Sequence, residues 1–141
     1  MNLQYNASMP ASALIPTLPY ADVISAARWL ERVFDLRMRL QIGSHRIQMM
    51  TPEGGDLVLV QTDQAPAHAA LMARVADVDA VYARVVAEGA KVSGAPQSFP
   101  YGERQFTALD CGGHAWTFSQ SVVDVDPVHW GGVTGPGFTQ T

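Results

Sequence analysis

Pro100–Phe118, PYGERQFTALDCGGHAWTF, decides the reading of this chain. Two alternating runs of β-prone residues flank a Gly-containing turn, Asp110-Cys111-Gly112-Gly113, which is a hairpin signal. Side chains alternate across a strand, so the pairing fixes which of them share a face. With Leu109 opposite His114, Ala108 falls opposite Ala115, Phe106 opposite Thr117 and Arg104 opposite Ser119. Gln105, Thr107, Trp116 and Phe118 then form a face with the bulk of a core. The face of Arg104, Phe106, Thr117 and Ser119 is smaller and mixed in polarity, and suits the lining of a cavity.

Working outward, the tripeptide Ala-Asp-Val occurs at 21–23 and again at 76–78 in matching surroundings. A strand-like run precedes each copy, Ala13–Tyr20 in one and His68–Val75 in the other. A helical pattern follows each: Val23, Ala26, Ala27, Leu30 and Phe34 share one face, as do Val78, Val81, Tyr82 and Val85. Asp22 and Asp77 stand where N-cap carboxylates accept the free N–H groups of a first turn, and Gly89 is placed to end the second helix. Strands are expected at Arg37–Ile42, His45–Thr51 and Asp56–Thr62, then at Lys91–Phe99, Glu103–Asp110 and His114–Ser121. The chain reads as strand–helix–three strands, written twice at an offset of 55 residues, and such a repeat governs the fold.

At 141 residues and 48% hydrophobic, the chain has enough apolar surface for one core. A formal net charge of −4 without a Lys/Arg cluster argues against a nucleic-acid partner. The sole cysteine, Cys111, leaves no internal disulfide and suits a reducing compartment. The N-terminal run MNLQYNASMPAS does not read as a signal peptide, and no stretch reads as a membrane helix. A cytoplasmic protein without membrane partners is the expectation.

Two βαβββ modules that close on Tyr101, Gly102, Arg104, Asp110, Gly113, His114, Trp116 and Phe118 resemble the vicinal oxygen chelate superfamily. That group comprises glyoxalase I, extradiol dioxygenases and the bleomycin- and fosfomycin-resistance proteins. The resemblance covers residues 12–121 and is closest in flavour to the metal-free, resistance-type members; Cys111 stands where members usually have proline. It implies an α+β fold of two tandem modules forming a curved, mostly antiparallel half-barrel sheet with helices on its outer face. Residues 1–11 are an N-terminal extension, 12–63 the first module, 68–121 the second, and 64–67, with Pro66, the hinge. Residues 122–141 are a Gly- and Pro-rich tail whose Trp130 and Phe138 favour packing on the body or on a partner subunit.

Metal-using members place a ligand on each of several strands, facing inward. The resemblance puts those positions at Ile15, about Leu59, Ala70 and Thr117, none of which is His, Glu, Asp or Cys. Ile, Leu and Ala offer no donor and a lone Thr hydroxyl is a poor one, so no metal ligands and no cofactor are expected. His68 is in phase with Ala70, and Met72 follows on the same face. The expected ligand-binding set is therefore Arg104, Phe106, Thr117, Ser119, His68, Ala70, Met72, Leu59 and Ile15 around a largely apolar cavity, with no catalytic residue assigned. Trp29, Trp116 and Phe118 are expected in the core, and His114 on the helix side with Trp116.

Three functions follow as expectations. The first is a non-enzymatic glyoxalase/bleomycin-resistance-like protein that captures a small organic molecule without metal, in a cavity built across two subunits of a homodimer. The alternative is a divergent metal-dependent lyase, isomerase or dioxygenase that uses shifted ligands such as His68 or Glu103. The third is a structural dimer without a cavity ligand.

Overall fold

A computed structural model describes residues 2–64 and 67–138. The order is β1 (Thr17–Tyr20), α1 (Val23–Phe34), β2 (Arg37–Ile42), β3 (Arg46–Met50), β4 (Asp56–Gln61), then β5 (Ala70–Arg74), α2 (Val78–Ala87), β6 (Gln97–Ser98), β7 (Glu103–Leu109) and β8 (Ala115–Ser121). The strands form two four-stranded sheets, β1-β4-β3-β2 and β5-β8-β7-β6. In each, the first strand runs parallel to the last of its module and the other pairs are antiparallel. The α+β fold of two tandem βαβββ modules is as expected. The expected hinge falls partly outside the described residues, at 65 and 66.

Local chemistry places the helices. Asp22 accepts hydrogen bonds from the N–H groups of Ile24 and Ser25, both at 3.1 Å, and Asp77 accepts one from Ala80 at 3.1 Å. Each thus satisfies orphan donors of a first turn. α1 buries Val23, Ala26, Ala27, Leu30, Val33 and Phe34 against Leu18, Tyr20, Ile47, Met49, Leu57 and Leu59. α2 buries Val78 and Val85 over β7 and β8. Phe34, at the end of α1, crosses between modules, its ring 4.9 Å from Phe118 and 5.2 Å from Trp116. The two modules therefore share one core. The helix ends are also tied, with Arg84 Nε donating to Arg32 O at 3.0 Å and Arg32 pairing with Glu88 at 3.1 Å.

Most strands end a residue or two inside the expected ranges, and two are cut to half or less. β1 begins at Thr17 because Pro16 has no N–H to donate; its carbonyl accepts from Val58 N at 2.9 Å. The Lys91–Phe99 run yields only Gln97–Ser98 and a single bridge, Val92 to Ala108, because Gly94 and Pro96 interrupt it.

The β7–β8 register differs from expectation by one residue. Leu109 pairs with Ala115, Thr107 with Thr117 and Phe106 with Phe118. The Asp110 carboxylate accepts from the N–H groups of Gly112 (2.9 Å) and His114 (3.0 Å), while Asp110 N donates to His114 O at 2.9 Å. This side-chain-capped loop takes five residues, 110–114, where a four-residue turn was expected. A one-residue slip exchanges the faces of one strand relative to the other.

Gly102 anchors the start of the tail. Its φ of +89° suits glycine, and an added Cβ would lie 2.2 Å from the Val123 carbonyl oxygen. Its own carbonyl accepts from Val122 N at 2.9 Å, and the neighbouring Tyr101 ring lies 5.6 Å from Trp130. Gly102→Ala is expected to lower the melting temperature by several degrees and to shift Trp130 emission to the red, as the tail leaves Tyr101. A thermal melt followed by tryptophan fluorescence checks both.

Candidate functional site

The closing motif builds a buried polar node. Asp110 is nearly inaccessible, and its carboxylate takes four donors: Gly112 N and His114 N on Oδ1, Tyr20 OH (2.5 Å) and Trp116 Nε1 (3.0 Å) on Oδ2. His114, fully buried, accepts at Nδ1 from Ala69 N at 2.9 Å. That leaves Nε2 to carry the proton, 2.9 Å from Pro19 O. Tyr20 and Pro19 belong to β1, so Asp110 and His114 rivet the second module to the first. Burial, and then the adjacent Asp110 charge, push the Tyr20 hydroxyl well above its ordinary range and keep it a donor. The motif residues Asp110, Gly113, His114 and Trp116 thus hold the structure together.

Cys111 lies in the same loop and is exposed at the surface. Burial first, and the Asp110 carboxylate second, nonetheless push its thiol up to about 11. The thiolate is the reactive form, so alkylation by iodoacetamide should rise about tenfold per pH unit from 7 to 10 with no plateau in that window. A stopped-time labelling series read by mass spectrometry checks this; a plateau below pH 9 would contradict it.

Opposite the helices, the second sheet presents a concave face set by the observed register. Ala70 pairs with Ala115, Met72 with Thr117 and Arg74 with Ser119. Thr117, Ser119, Ala70 and Met72 therefore share one face, with His68 at its end. Thr107 and Gln105 join them, which the expected register had placed in the core. Phe106 and Arg104 leave it: Phe106 is 4% exposed in the core, stacked on Phe118 with ring centroids 5.3 Å apart. Arg104 turns toward α2 and pairs with Asp79, Nη2 to Oδ1 at 3.0 Å and Nε to Oδ2 at 3.1 Å. This hydrogen-bonded pair lowers the Asp79 carboxyl below its ordinary value and raises the Arg104 guanidinium. Recognising Asp110 as a loop cap rather than a strand end would have found Gln105 and Thr107.

The face is consequently more polar than a largely apolar cavity. Thr107 Oγ1 and Thr117 Oγ1 are 2.9 Å apart, Gln105 Nε2 donates to Ser119 Oγ at 2.9 Å, and Ser119 Oγ donates to Glu103 at 2.7 Å. Arg74 Nη2 lies 3.0 Å from Ser121 Oγ. Met72 is 65% exposed, so a single chain leaves this face open. A crevice of about 260 Å³ between β5 and the 51–57 turn runs beside Met72 and Arg74.

In the first module Ile15 is half-buried ahead of β1, in phase with Thr17 and Pro19. Leu59 does not reach the concave face: it is fully buried among Leu18, Ile47 and Leu30 on the helix side, and its neighbours Val58 and Val60 face the other way. The N-terminal segment is tied to the first sheet at Ala7, Ser8 and Ser12. Gln48 Nε2 donates to Ser8 O at 2.8 Å, Arg39 Nη2 donates to Ala7 O at 2.8 Å, and Ser12 Oγ donates to Asp56 at 2.6 Å.

The residues do not fit a divalent ion. Among the described residues no three His, Cys, Asp or Glu side chains converge. Thr117 supplies the one hydroxyl at the four positions, and it is already paired with Thr107. His68 and Glu103 stand at opposite ends of the second sheet, near Ala115 and Ser121, six residues or about 20 Å apart.

The family model described as glyoxalase/bleomycin resistance protein/dioxygenase superfamily matches residues 15–118. Among solved structures, TioX from Micromonospora sp. ML1 is 28% identical, with a TM-score of 0.68 over 82% of this chain and 100% of that one. A glyoxalase/bleomycin resistance protein/dioxygenase from Nocardioides is 16% identical, with a TM-score of 0.64 over 89% of this chain and 91% of that one. Lactoylglutathione lyase from Agrobacterium tumefaciens is 19% identical, with a TM-score of 0.63 over 79% and 96% respectively. The last two share the fold alone. No curated protein matches the chain.

Proposed function

We propose a function from one premise: the chain belongs to the glyoxalase/bleomycin resistance protein/dioxygenase superfamily. Its role is to bind a small organic molecule, without metal, against the concave face around Thr117, Met72 and Ala70. The observation that carries this reading is the chemistry at the family's metal positions. Ile15, Ala70 and the buried Leu59 offer no donor, and the lone Thr117 hydroxyl, paired with Thr107, is a poor metal ligand. Without a Lewis acid the usual polarisation of a carbonyl has no agent here.

What remains is a recognition surface. Met72 and Ala70 supply adaptable apolar contact, while Gln105, Thr107 and Thr117 supply hydrogen bonds at fixed spacing. The open face favours closure by a second copy, so the binding unit is a homodimer with the ligand enclosed between subunits.

Thermal-shift screening against planar drugs and metabolites, repeated with EDTA and with added divalent ions, tests the reading. Stabilisation by at least one compound, unchanged by EDTA and lost in Met72→Arg, is the expected result. Stoichiometric metal in protein purified without chelator, or uniform failure across the panel, would sink it.

A further inference from the structure

The loops that lead into the last strand of each module are built alike. Met50 pairs with Asp56 and Leu109 with Ala115, so the loops are 51–55 and 110–114. Thr51 N donates to Gly55 O at 2.8 Å and Gly54 N to Thr51 O at 3.0 Å. Asp110 N and Gly113 N make the same two bonds in the second loop, at 2.9 and 3.0 Å. The first side chain caps each loop: Gly55 N donates to Thr51 Oγ1 at 2.7 Å, as His114 N does to Asp110 Oδ1 at 3.0 Å. Thr51 is thus the counterpart of Asp110, and by the same count Gly55 answers to His114 and Leu57 to Trp116. Val75 answers to Tyr20, since each directly precedes an Ala-Asp-Val helix start.

The two nodes differ in what fills them. Around Asp110 stand the Tyr20 phenol, the His114 imidazole and the Trp116 indole; around Thr51 the same places hold Val75, Gly55 and Leu57. The rings are gone, and space is left where they would stand. A cleft of about 260 Å³ lies there, lined by Phe34, Thr51, Glu53, Val75, Val81 and Phe118, among others. A dry cavity of about 150 Å³ is enough to hold benzene, so the cleft has room for one substituted ring. Phe34 and Phe118 offer it aromatic walls. Polar groups stand on the loop side. Glu53 Oε1 accepts from Ala76 N at 3.1 Å, and the carboxylate has a second oxygen to offer. The other charges at the rim do not favour an anion. Asp35 and Asp77 add two carboxylates, and the Arg84 guanidinium is engaged by Asp35 at 3.4 Å and by Arg32 O at 3.0 Å.

We infer that this cleft binds a neutral phenol, whose ring takes the place that Tyr20 fills in the other node and whose hydroxyl donates to Glu53 as Tyr20 donates to Asp110. Thr51 and Glu53 belong to the first module, Val75 and Val81 to the second, so the bound ring completes a second rivet between the halves. The site lies on the helix side of the second sheet, where Ala73 pairs with Phe118. It is therefore distinct from the concave face of Met72 and Thr117.

Fluorine NMR of 4-fluorophenol titrated with the full chain tests this, with fluorobenzene lacking the hydroxyl and 4-fluorobenzoate carrying a charge. A hydrogen bond to a carboxylate supports about a tenfold advantage of 4-fluorophenol over fluorobenzene. The benzoate should bind more weakly than either, and saturation with 4-fluorophenol should raise the melting temperature. Val75→Tyr, which restores the missing ring from within, should abolish binding. Glu53→Met, at an exposed position with less risk to folding, should bring 4-fluorophenol down to the affinity of fluorobenzene and leave fluorobenzene unchanged. Equal affinity of wild type for 4-fluorophenol and fluorobenzene overturns the proposal, as does tighter binding of the benzoate. No saturation by 4-fluorophenol, or undiminished binding in a folded Val75→Tyr, overturns it too. Met72→Arg should leave 4-fluorophenol binding intact, so this site and the Thr117 face fail separately.

Discussion

Asp110→Ala is expected to cost about 3–5 kcal/mol, the penalty for breaking a buried charged network and stranding its partners. The variant would leave the Tyr20 hydroxyl and the Trp116 indole N–H buried without acceptors, and would remove the cap that gives the 110–114 loop its length. For a domain of this size that is a fall in melting temperature of roughly 10 °C or more. Asp110→Asn keeps the shape but adds two N–H groups among four donors, so it should fall between wild type and Ala. Cys111→Ala, one residue away and exposed, should stay within about 0.5 kcal/mol of wild type. Urea denaturation of the three variants decides; a mild Asp110→Ala effect would mean that the node is not what joins the modules.

Phe34→Ala is expected to cost about 3–5 kcal/mol by cavity formation. Phe34 is 4% exposed and meets Trp29, Trp116 and Phe118, each within 5.2 Å between ring centroids. It also lines a cleft of about 260 Å³ with Leu36, Val75, Val81 and Arg84, so truncation would enlarge a void that already lies between the modules. The expected signature is more than a lower midpoint. With the aromatic bridge gone, fluorescence and far-UV circular dichroism should no longer trace one transition, because the halves lose their shared core. A single coincident transition at reduced stability would show that the polar rivets alone enforce cooperativity.

The sequence carried the architecture because the duplicated signals are local. Ala-Asp-Val at 21–23 and 76–78 is an N-cap followed by apolar residues at helical spacing, and both helices start where those caps stand. The candidate site was legible in part, at positions where strand phase alone decides the face: Ala70, Met72, Thr117 and Ser119 stand together. It failed where a side chain altered the backbone count. Asp110 folds its carboxylate back onto two N–H groups, the loop gains a residue, and Phe106 and Arg104 change places with Gln105 and Thr107. Leu59 was misplaced for a related reason, since an almost continuous apolar run, Leu57–Val60, does not reveal its buried face. The N-terminal segment at Ala7–Ser12 had no periodic signal at all, because two of its three attachments to the sheet are backbone carbonyls, which every residue possesses.

The rivets between modules also dictate when the protein can fold. Tyr20 and Asp110 are 90 residues apart, and Pro19 and His114 are 95. Closing a loop of that length costs entropy before any contact repays it, and contacts of such long range slow the search. A nascent chain that has emerged only through β4 has β1 and α1 but no acceptor for the Tyr20 hydroxyl and no aromatic partners from β8 for Phe34. On the ribosome, the first module is therefore expected to wait, with its interior edge uncovered, until the last strand arrives to complete both halves together.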